Sequence, residues 1–396
     1  MRMRSKFVTG AVALAAVTSL AGVPAEAASG RERGNDRTAL QRDTDAIAAL
    51  GVAGVQARTT GSAGRSVVAS SGVSDIGTGR PVPPTAYFRI GSINKTFVAT
   101  VVLHLVGEGR LGLDDTVERR LPGVLRGNGN RGDRITIRQL LQHTSGISDE
   151  SYPGFDSAEE YYAHRYDIHT PEEIVALAMR HRPVFEPGRG WSYSNTGYAV
   201  LGLVIEKVTG RPWYEEVSTR IIRPLRLHHT VWPGTSATLP RPHLRGYQRF
   251  ESGGPLVDVT ELIDADASGG LISTTADLDR FVRALLGGRL LRPELLRQMQ
   301  RTVPVDEETN QIMPGARYGL GLSSRPLSCG GTYWTHGGDQ LGYRTRNGVA
   351  DDGRRSVVVA MSTQFNQMDS ALGQEKLAHT LVDNALCHER TAPLAD

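Results

Sequence analysis

Lysine is nearly missing from this chain: of 45 basic residues only Lys6, Lys95, Lys207 and Lys376 are lysines, so arginine is the default cation. Cysteine is scarcer still, with Cys329 and Cys387 alone, which excludes a disulfide-dense scaffold. The 11 histidines show no H-E-x-x-H or comparable ligand spacing, so no zinc-protease reading is available and no metal is expected. His143 and His336 therefore read as structural or site-lining. No glycine-rich phosphate loop, internal repeat or low-complexity tract occurs beyond the short terminal "ERTAPLAD", which removes nucleotide-binding and solenoid readings. Excess charge is missing too. A formal +3 over 396 residues falls to +1 once Arg2, Arg4, Lys6 and Glu26 are removed, giving no support for nucleic-acid or acidic-membrane partners. The arginine cluster "RGNGNRGDR" (126–134) reads as solvated loop charge.

What is present is an ordinary globular balance, 39% hydrophobic and 22% charged, enough for one large domain or two interwoven ones. The first thirty residues carry three cations, an apolar run over about 7–21, and then Ala25-Glu26-Ala27, the small-x-small pattern of a cleavable secretory signal. The run is shorter than the roughly 20 residues of a membrane-spanning helix, so the expectation is a 1–27 signal peptide, a mature chain from about Ala28, secretion, and no stable membrane anchor. In an oxidising compartment one Cys329–Cys387 disulfide, tying a late strand to the last helix, is the economical reading, with two buried free thiols as the alternative.

Periodicity places the elements. "RTALQRDTDAIAALG" reads as a helix stopped at Gly51, and "VAGVQAR" and "RSVVASSG" as strands separated by a Gly/Ser turn. "INKTFVATVVLHLVGEGRLGL" is apolar at helical intervals through Phe97, Val101, Leu105 and Val106, so Ser92 opens a helix. "TIRQLLQHTSG", "TPEEIVALAMRH" (Thr170 as cap, Pro171 in the first turn), "GYAVLGLVIEKVTG" and "TTADLDRFVRALLGG" follow as helices. Strands return in "YGLGLSS", "TYWTHGG", "GYRTRNGVA" and "RSVVVAMST", before a final helix over 371–387. The expected fold is α/β: an antiparallel sheet flanked by helices, from about 35–91 and 300–390, with an inserted mainly helical lobe from about 92–299 and a cleft between them.

Lys95 stands three residues after Ser92 on the predicted helix, so amine and hydroxyl share a face. A serine is a weak nucleophile until a base takes its proton, and a lysine can lose its own proton on burial where an arginine cannot. "GWSYSNTGYAVLG" offers Tyr193 and Asn195 on a short loop before a helix. A phenol near an ammonium is expected to have a lowered pKa and to act as base or acid, and the amide can both donate to and accept from a peptide. "YWTHGGDQLGY" runs a strand into His336-Gly337-Gly338-Asp339, where glycines let a substrate backbone lie along the strand edge and N–H groups could bind an oxyanion.

In that order, S-x-x-K, Y-x-N and H-x-G resemble the penicillin-recognising serine hydrolases, a superfamily of DD-peptidases, class C β-lactamases and related esterases. The likeness is closest to the secreted actinobacterial D-alanyl-D-alanine carboxypeptidases, through "LLQHTSGI" (140–147), "PGRGWSYSNTGYAVLGLVIEKVTG" (187–210), "GGLISTTADLDRF" (269–281) and "RYGLGLSSRPLSCG" (317–330). It implies Ser92 as acylated nucleophile, Lys95 as proton acceptor, Tyr193 as proton shuttle to the leaving amine, and Asn195 as holder of the substrate amide. It implies an oxyanion hole from the N–H groups of Ser92 and of the strand near Asp339. No cofactor is implied. The implied partners are a peptidoglycan stem peptide or other D-amino-acid peptide or ester, with β-lactams as inhibitors and the protein a monomer.

Two positions depart from the resemblance. Where those carboxypeptidases follow the strand histidine with threonine, glycine and threonine, this chain has Gly337-Gly338-Asp339, and their assisting arginine aligns with Ser323. Both changes remove carboxylate recognition, and Asp339 would repel a carboxylate if its side chain faces the cleft; the alternative is that Asp339 points to solvent and Arg325, Arg344 or Arg346 supplies the missing cation. The resemblance still puts a D-alanyl-D-alanine carboxypeptidase first. An esterase, amidase, D-aminopeptidase or β-lactamase on the same machinery comes next, and a non-catalytic penicillin-binding sensor last.

Overall fold

Val357, Val359 and Met361 belong to one buried apolar cluster, and Val358 and Ala360 between them belong to another. A strand that is apolar at five successive positions and feeds two cores must be covered on both faces. The computed structural model describes residues 25–387 except Ser151, with side chains from residue 37 on, and it places this strand inside a ten-stranded sheet. The expected signal peptide falls outside the described residues up to residue 24.

In chain order the sheet comprises β1 (Gly54–Thr60), β2 (Ser66–Asp75), β3 (Arg80–Pro81), β4 (Val303–Pro304) and β5 (Arg317–Tyr318). It continues with β6 (Ser323–Pro326), β7 (Thr332–Thr335), β8 (Gly338–Gln340), β9 (Tyr343–Ala350) and β10 (Ser356–Met361). Their spatial order is β4-β5-β6-β7-β9-β10-β1-β2-β3, with β8 also paired to β9 and every pairing antiparallel. The helices that matter to the site are α1 (Ala25–Ala48), α2 (Asn94–Gly107), α3 (Ile137–Gln142), α4 (Asn195–Thr209), α5 (Thr275–Leu286) and α6 (Met368–Cys387).

Register decides which side chains meet. Val55 stands opposite Met361 and Ala57 opposite Val359, so four apolar groups share one face. Leu40 and Ile47 of α1 and Leu381, Val382 and Leu386 of α6 cover that face. The other face packs against α5 and, beyond it, α2 and α4, through Phe281, Leu278, Phe97, Val101, Leu201 and Ile205. The architecture is therefore the expected α/β one, and the chain between β3 and β4 is mainly helical. Among the described residues no helix is long and apolar enough to cross a membrane.

Four local readings are corrected. The first helix starts at Ala25 rather than near residue 37. α2 is buried from Asn94 to Leu103 without a polar stripe, because it runs through the core instead of over it. "YGLGLSS" is two strands: Gly321, at φ +71°, donates to the Leu141 carbonyl at 3.1 Å and accepts from Thr96 Oγ1 at 2.8 Å, which draws the backbone away from the sheet. "TYWTHGG" likewise stops at Thr335, and pairing resumes at Gly338. Cys329, in the turn between β6 and β7, is disulfide-bonded to Cys387 at the end of α6.

Candidate active site

Ser92 lies in the 3-10 turn Gly91–Ile93 that leads into α2, and neither the turn nor the helix is capped by a side-chain hydrogen bond. The serine hydroxyl is thus not spent on the helix. Lys95 Nζ lies 3.0 Å from Ser92 Oγ, 2.7 Å from Asn195 Oδ1 and 3.0 Å from the Ser268 carbonyl, and its side chain is fully buried. Burial brings the amine down to about 7, against the opposing pull of Asp266, Asp149 and Asp264. Two of its three neighbours can only accept. A neutral Lys95 therefore spends both N–H donors on Asn195 and Ser268 and turns its lone pair to the Ser92 hydroxyl, as a general base requires.

Tyr193 stands in the loop before α4, with Lys95 Nζ 4.9 Å from its ring centroid and its phenol bonded to Ser92. The expected lowering of its pKa is not met. Burial pushes the phenol above its ordinary value, and the Ser92 bond offsets this only in part. Tyr193 consequently holds its proton and can serve as an acid. Asn195 is the first residue of α4 rather than a loop residue: Ser194 caps the helix by accepting from Gly197 N–H at 3.1 Å, and Asp149 takes the remaining first-turn donors from outside. Its carboxylate accepts from the Asn195 N–H, from Thr196 N–H at 3.0 Å and from Ser194 Oγ at 3.0 Å. The Asn195 side chain is left free for Lys95.

The third segment is brought in by close backbone approach. A Cβ on Gly338 would lie 1.9 Å from the Ile90 carbonyl oxygen, and one on Gly91, at φ +51°, would lie 2.6 Å from the Asp339 carbonyl oxygen. Only glycines let the two segments abut, and abutting places the Ser92 and Asp339 peptides side by side where an oxyanion pair is needed. His336, Gly337 and Asp339 line the cleft beside Ser92, whereas Gly338 is turned against Ile90.

His336 and His143 belong to one hydrogen-bonded chain whose direction the acceptors dictate. Ser194 N–H donates to His143 Nδ1 at 3.1 Å, so His143 carries its proton on Nε2, which lies 3.1 Å from Tyr318 Oη. Tyr318 Oη lies 2.7 Å from His336 Nε2, and His336 Nδ1 lies 2.6 Å from the Gly337 carbonyl, which can only accept. Protons therefore run His143 to Tyr318 to His336 to the strand. Both rings stay neutral, His336 brought down to about 3 by burial and then by Lys95, and His143 held well below its ordinary value by the same two influences. His143 also lies against Tyr193, with ring centroids 4.3 Å apart. Neither ring nitrogen pair is free for a metal, and among the described residues no cluster of three His, Cys, Asp or Glu side chains is placed to hold one.

Asp339 faces the cleft with 46% of its side chain exposed. The cleft opens a cavity of about 700 Å³ lined also by Tyr152, Phe155, Trp191, Asp264, Gln340 and Arg344. Sequence reasoning missed Tyr152, Asp266, Ser268 and Tyr318. Asp266 accepts from the Tyr152 hydroxyl and from Ser268 N–H at 2.5 Å, while Asn94 Nδ2 donates to the Ala267 carbonyl at 2.8 Å. Together they fix the carbonyl that Lys95 uses. The available signal was "DADAS" (264–268), whose acidic and small residues directly precede "GGLISTTADLDRF" (269–281).

A sequence model described as Beta-lactamase matches residues 40–381. "Penicillin-binding protein 4" of Amycolatopsis lactamdurans is 32% identical over 54% of this chain and 54% of its own length. "Penicillin-binding protein 4*" of Bacillus subtilis is 34% identical over 41% of this chain and 34% of its own length. The chain thus spans about half or less of those curated relatives. Among solved structures, a D-stereospecific amidohydrolase from Streptomyces sp. is 40% identical with a TM-score of 0.80, covering 89% of this chain and 99% of that one. A D-amino acid amidase from Ochrobactrum anthropi SV3 is 27% identical with a TM-score of 0.78, covering 90% and 100%. With the family match running over nearly all of the described residues, the chain belongs to the beta-lactamase family and has its fold.

Proposed function

We propose that this protein hydrolyses the acyl bond of D-amino-acid residues in amides, esters and peptides through an acyl-enzyme on Ser92. The observation that carries the reading is Lys95, a buried amine brought down to about 7 with its lone pair directed at the Ser92 hydroxyl. Lys95 takes the proton as Ser92 Oγ bonds to the substrate carbonyl carbon, and the N–H groups of Ser92 and Asp339 meet the oxygen that becomes negative. The C–N or C–O bond then breaks as Tyr193 gives its proton to the leaving atom and recovers one from the Lys95 ammonium. Water releases the acyl group by the same route in reverse.

Support for a D-residue comes from the Streptomyces amidohydrolase, similar over almost its entire length, and from the Ochrobactrum amidase. That similarity puts the amidohydrolase ahead of the carboxypeptidase, which stays as the second reading, favoured by the penicillin-binding relatives. Secretion is part of the proposal and rests on the basic-then-apolar start and the Cys329–Cys387 disulfide. Ammonia release from D-phenylalaninamide and L-phenylalaninamide, with Ser92→Ala as blank, tests the central claim. Turnover of the D-amide that Ser92→Ala abolishes is expected, and turnover surviving in Ser92→Ala would overturn it. Release of D-Ala from acylated L-Lys-D-Ala-D-Ala tests the second reading.

A further inference from the structure

The cleft wall beside Tyr193 carries a charge arrangement that the serine chemistry leaves unused. The Asp339 carboxylate accepts from Arg344 Nε at 2.9 Å and from both terminal nitrogens of Arg346 at 3.1 Å. This fork is the geometry in which a guanidinium holds a substrate's terminal carboxylate. Glu375 takes the Nε edge of Arg346 at 2.9 and 3.0 Å and lies 3.7 Å from Arg344 Nη1. The two arginines are 7% and 12% exposed while Asp339 is 46% exposed, so the group filling the arginine pair is the one open to the cleft. Around Asp339 two guanidinium charges meet two carboxylates, and the third cation, Arg325, stands one contact farther out on His379, which bonds Glu375 at 2.5 Å.

The other candidate cation is displaced. Arg325 stands two residues beyond Ser323 on the same face of β6, about 7 Å farther along the strand. There it contacts the His379 ring instead of the Ser92 end of the cleft. The cluster also reaches the proton donor: the Tyr193 phenol is held up chiefly by burial, with the Asp339 charge adding to that and Arg346 opposing it. The carboxylate and the group that protonates the leaving atom therefore share one end of the cleft.

We propose that Asp339 is an internal stand-in for a substrate carboxylate: it fills the Arg344–Arg346 site and restricts turnover to leaving groups without a free carboxylate, such as ammonia, alcohols and amidated amines. The inference rests on the acyl-enzyme reading above and names the leaving-group class of that same site. Removing the charge converts a balanced cluster into one with a net positive charge facing the leaving group. The latent site then becomes available to a C-terminal carboxylate.

The test compares kcat/KM for an N-acylated D-Ala-D-Ala with its C-terminal amide in the wild type, Asp339→Asn and Asp339→Thr. Wild type is expected to favour the amide at least tenfold, and both variants to shift the acid-to-amide ratio at least tenfold toward the acid. A wild-type preference for the acid, or an unchanged ratio in the variants, overturns the proposal; the wild-type ratio decides even where a variant fails to fold. Labelling of Ser92 by a fluorophosphonate, which bears no carboxylate, reports the acyl-enzyme reading separately. A wild-type protein that does not label overturns that reading itself, whereas labelling with an unshifted ratio overturns only the role of Asp339.

Discussion

Lys95→Met should make this protein more stable in mild acid and less stable in alkali, while abolishing its chemistry. Lys95 is brought from 10.5 to about 7 by burial, so the unfolded chain binds a proton there that the folded chain has released between those two pH values. Stability of the wild type therefore rises as pH climbs from 7 to 10.5. Below 7 both states hold the proton and the full cost of burying the ammonium, about 5 kcal/mol, is present. Methionine has nearly the same shape and no charge, so it removes that cost. It also strands Asn195 Oδ1 and the Ser268 carbonyl, at roughly 1–2 kcal/mol each. The balance at pH 6 is a gain of about 1–3 kcal/mol, and at pH 10, where the folded amine is neutral and bonded and the unfolded one still partly protonated, a loss of roughly 1–3 kcal/mol. Urea unfolding of both proteins at the two pH values measures the difference. A change of equal sign and size at pH 6 and pH 10 would refute the depressed lysine, and with it the general-base argument. Fluorophosphonate labelling of Ser92 should disappear in the variant at either pH.

The same titration sets the activity profile: kcat/KM should fall about tenfold per pH unit below about 7, as Lys95 takes up its proton, and a flat profile from pH 5 to 8 would contradict the assigned base. Lys95→Arg, permanently protonated, should leave the fold intact and lose Ser92 labelling across that range. Tyr318→Phe removes the hydroxyl between two buried histidine nitrogens and should cost about 2–3 kcal/mol in chemical unfolding, with kcat lowered more than KM is raised; wild-type stability would dissolve the proposed proton chain. Cys329→Ser opens a loop of 58 residues and should lower unfolding free energy by roughly 4 kcal/mol, an effect a reductant should reproduce in the wild type.

The sequence reads best where contacts are local and worst where they are not. Ser92 and Lys95 are one helical turn apart, so their meeting follows from spacing alone, and the rarity of lysine marks the position. The helix start at Asn195 is in fact local, since Ser194 caps it through Gly197 N–H; what the sequence hides is Asp149, 46 residues upstream, which holds the Asn195 and Thr196 N–H groups. Tyr318 lies in the segment "RYGLGLSSRPLSCG", yet its role stays hidden because its partners are 175 residues before it and 18 after it. The direction of the Tyr193 shift also needs the fold, since neighbouring charges can be inferred from motifs but desolvation depends on everything packed around the phenol.

Asp339 lies between these cases. The run "DQLGYR" places Leu341-Gly342 as a two-residue turn, Gly342 at φ +76°, and such a turn puts Gln340 opposite Tyr343 and Asp339 opposite Arg344. Alternation then sets Arg346 on the same face as Arg344, one pleat farther along β9. Both arginine partners of Asp339 are thus implied by hairpin register before any coordinates are known. Glu375 is not, because it arrives on α6, whose docking on the sheet depends on the apolar face of Leu381, Val382 and Leu386. It is also what makes the cluster neutral. Hairpin register alone gives two arginines against one aspartate, a net cation that would welcome a carboxylate. Helix docking supplies the second anion, and the predicted preference of the wild type for amides over acids depends on it.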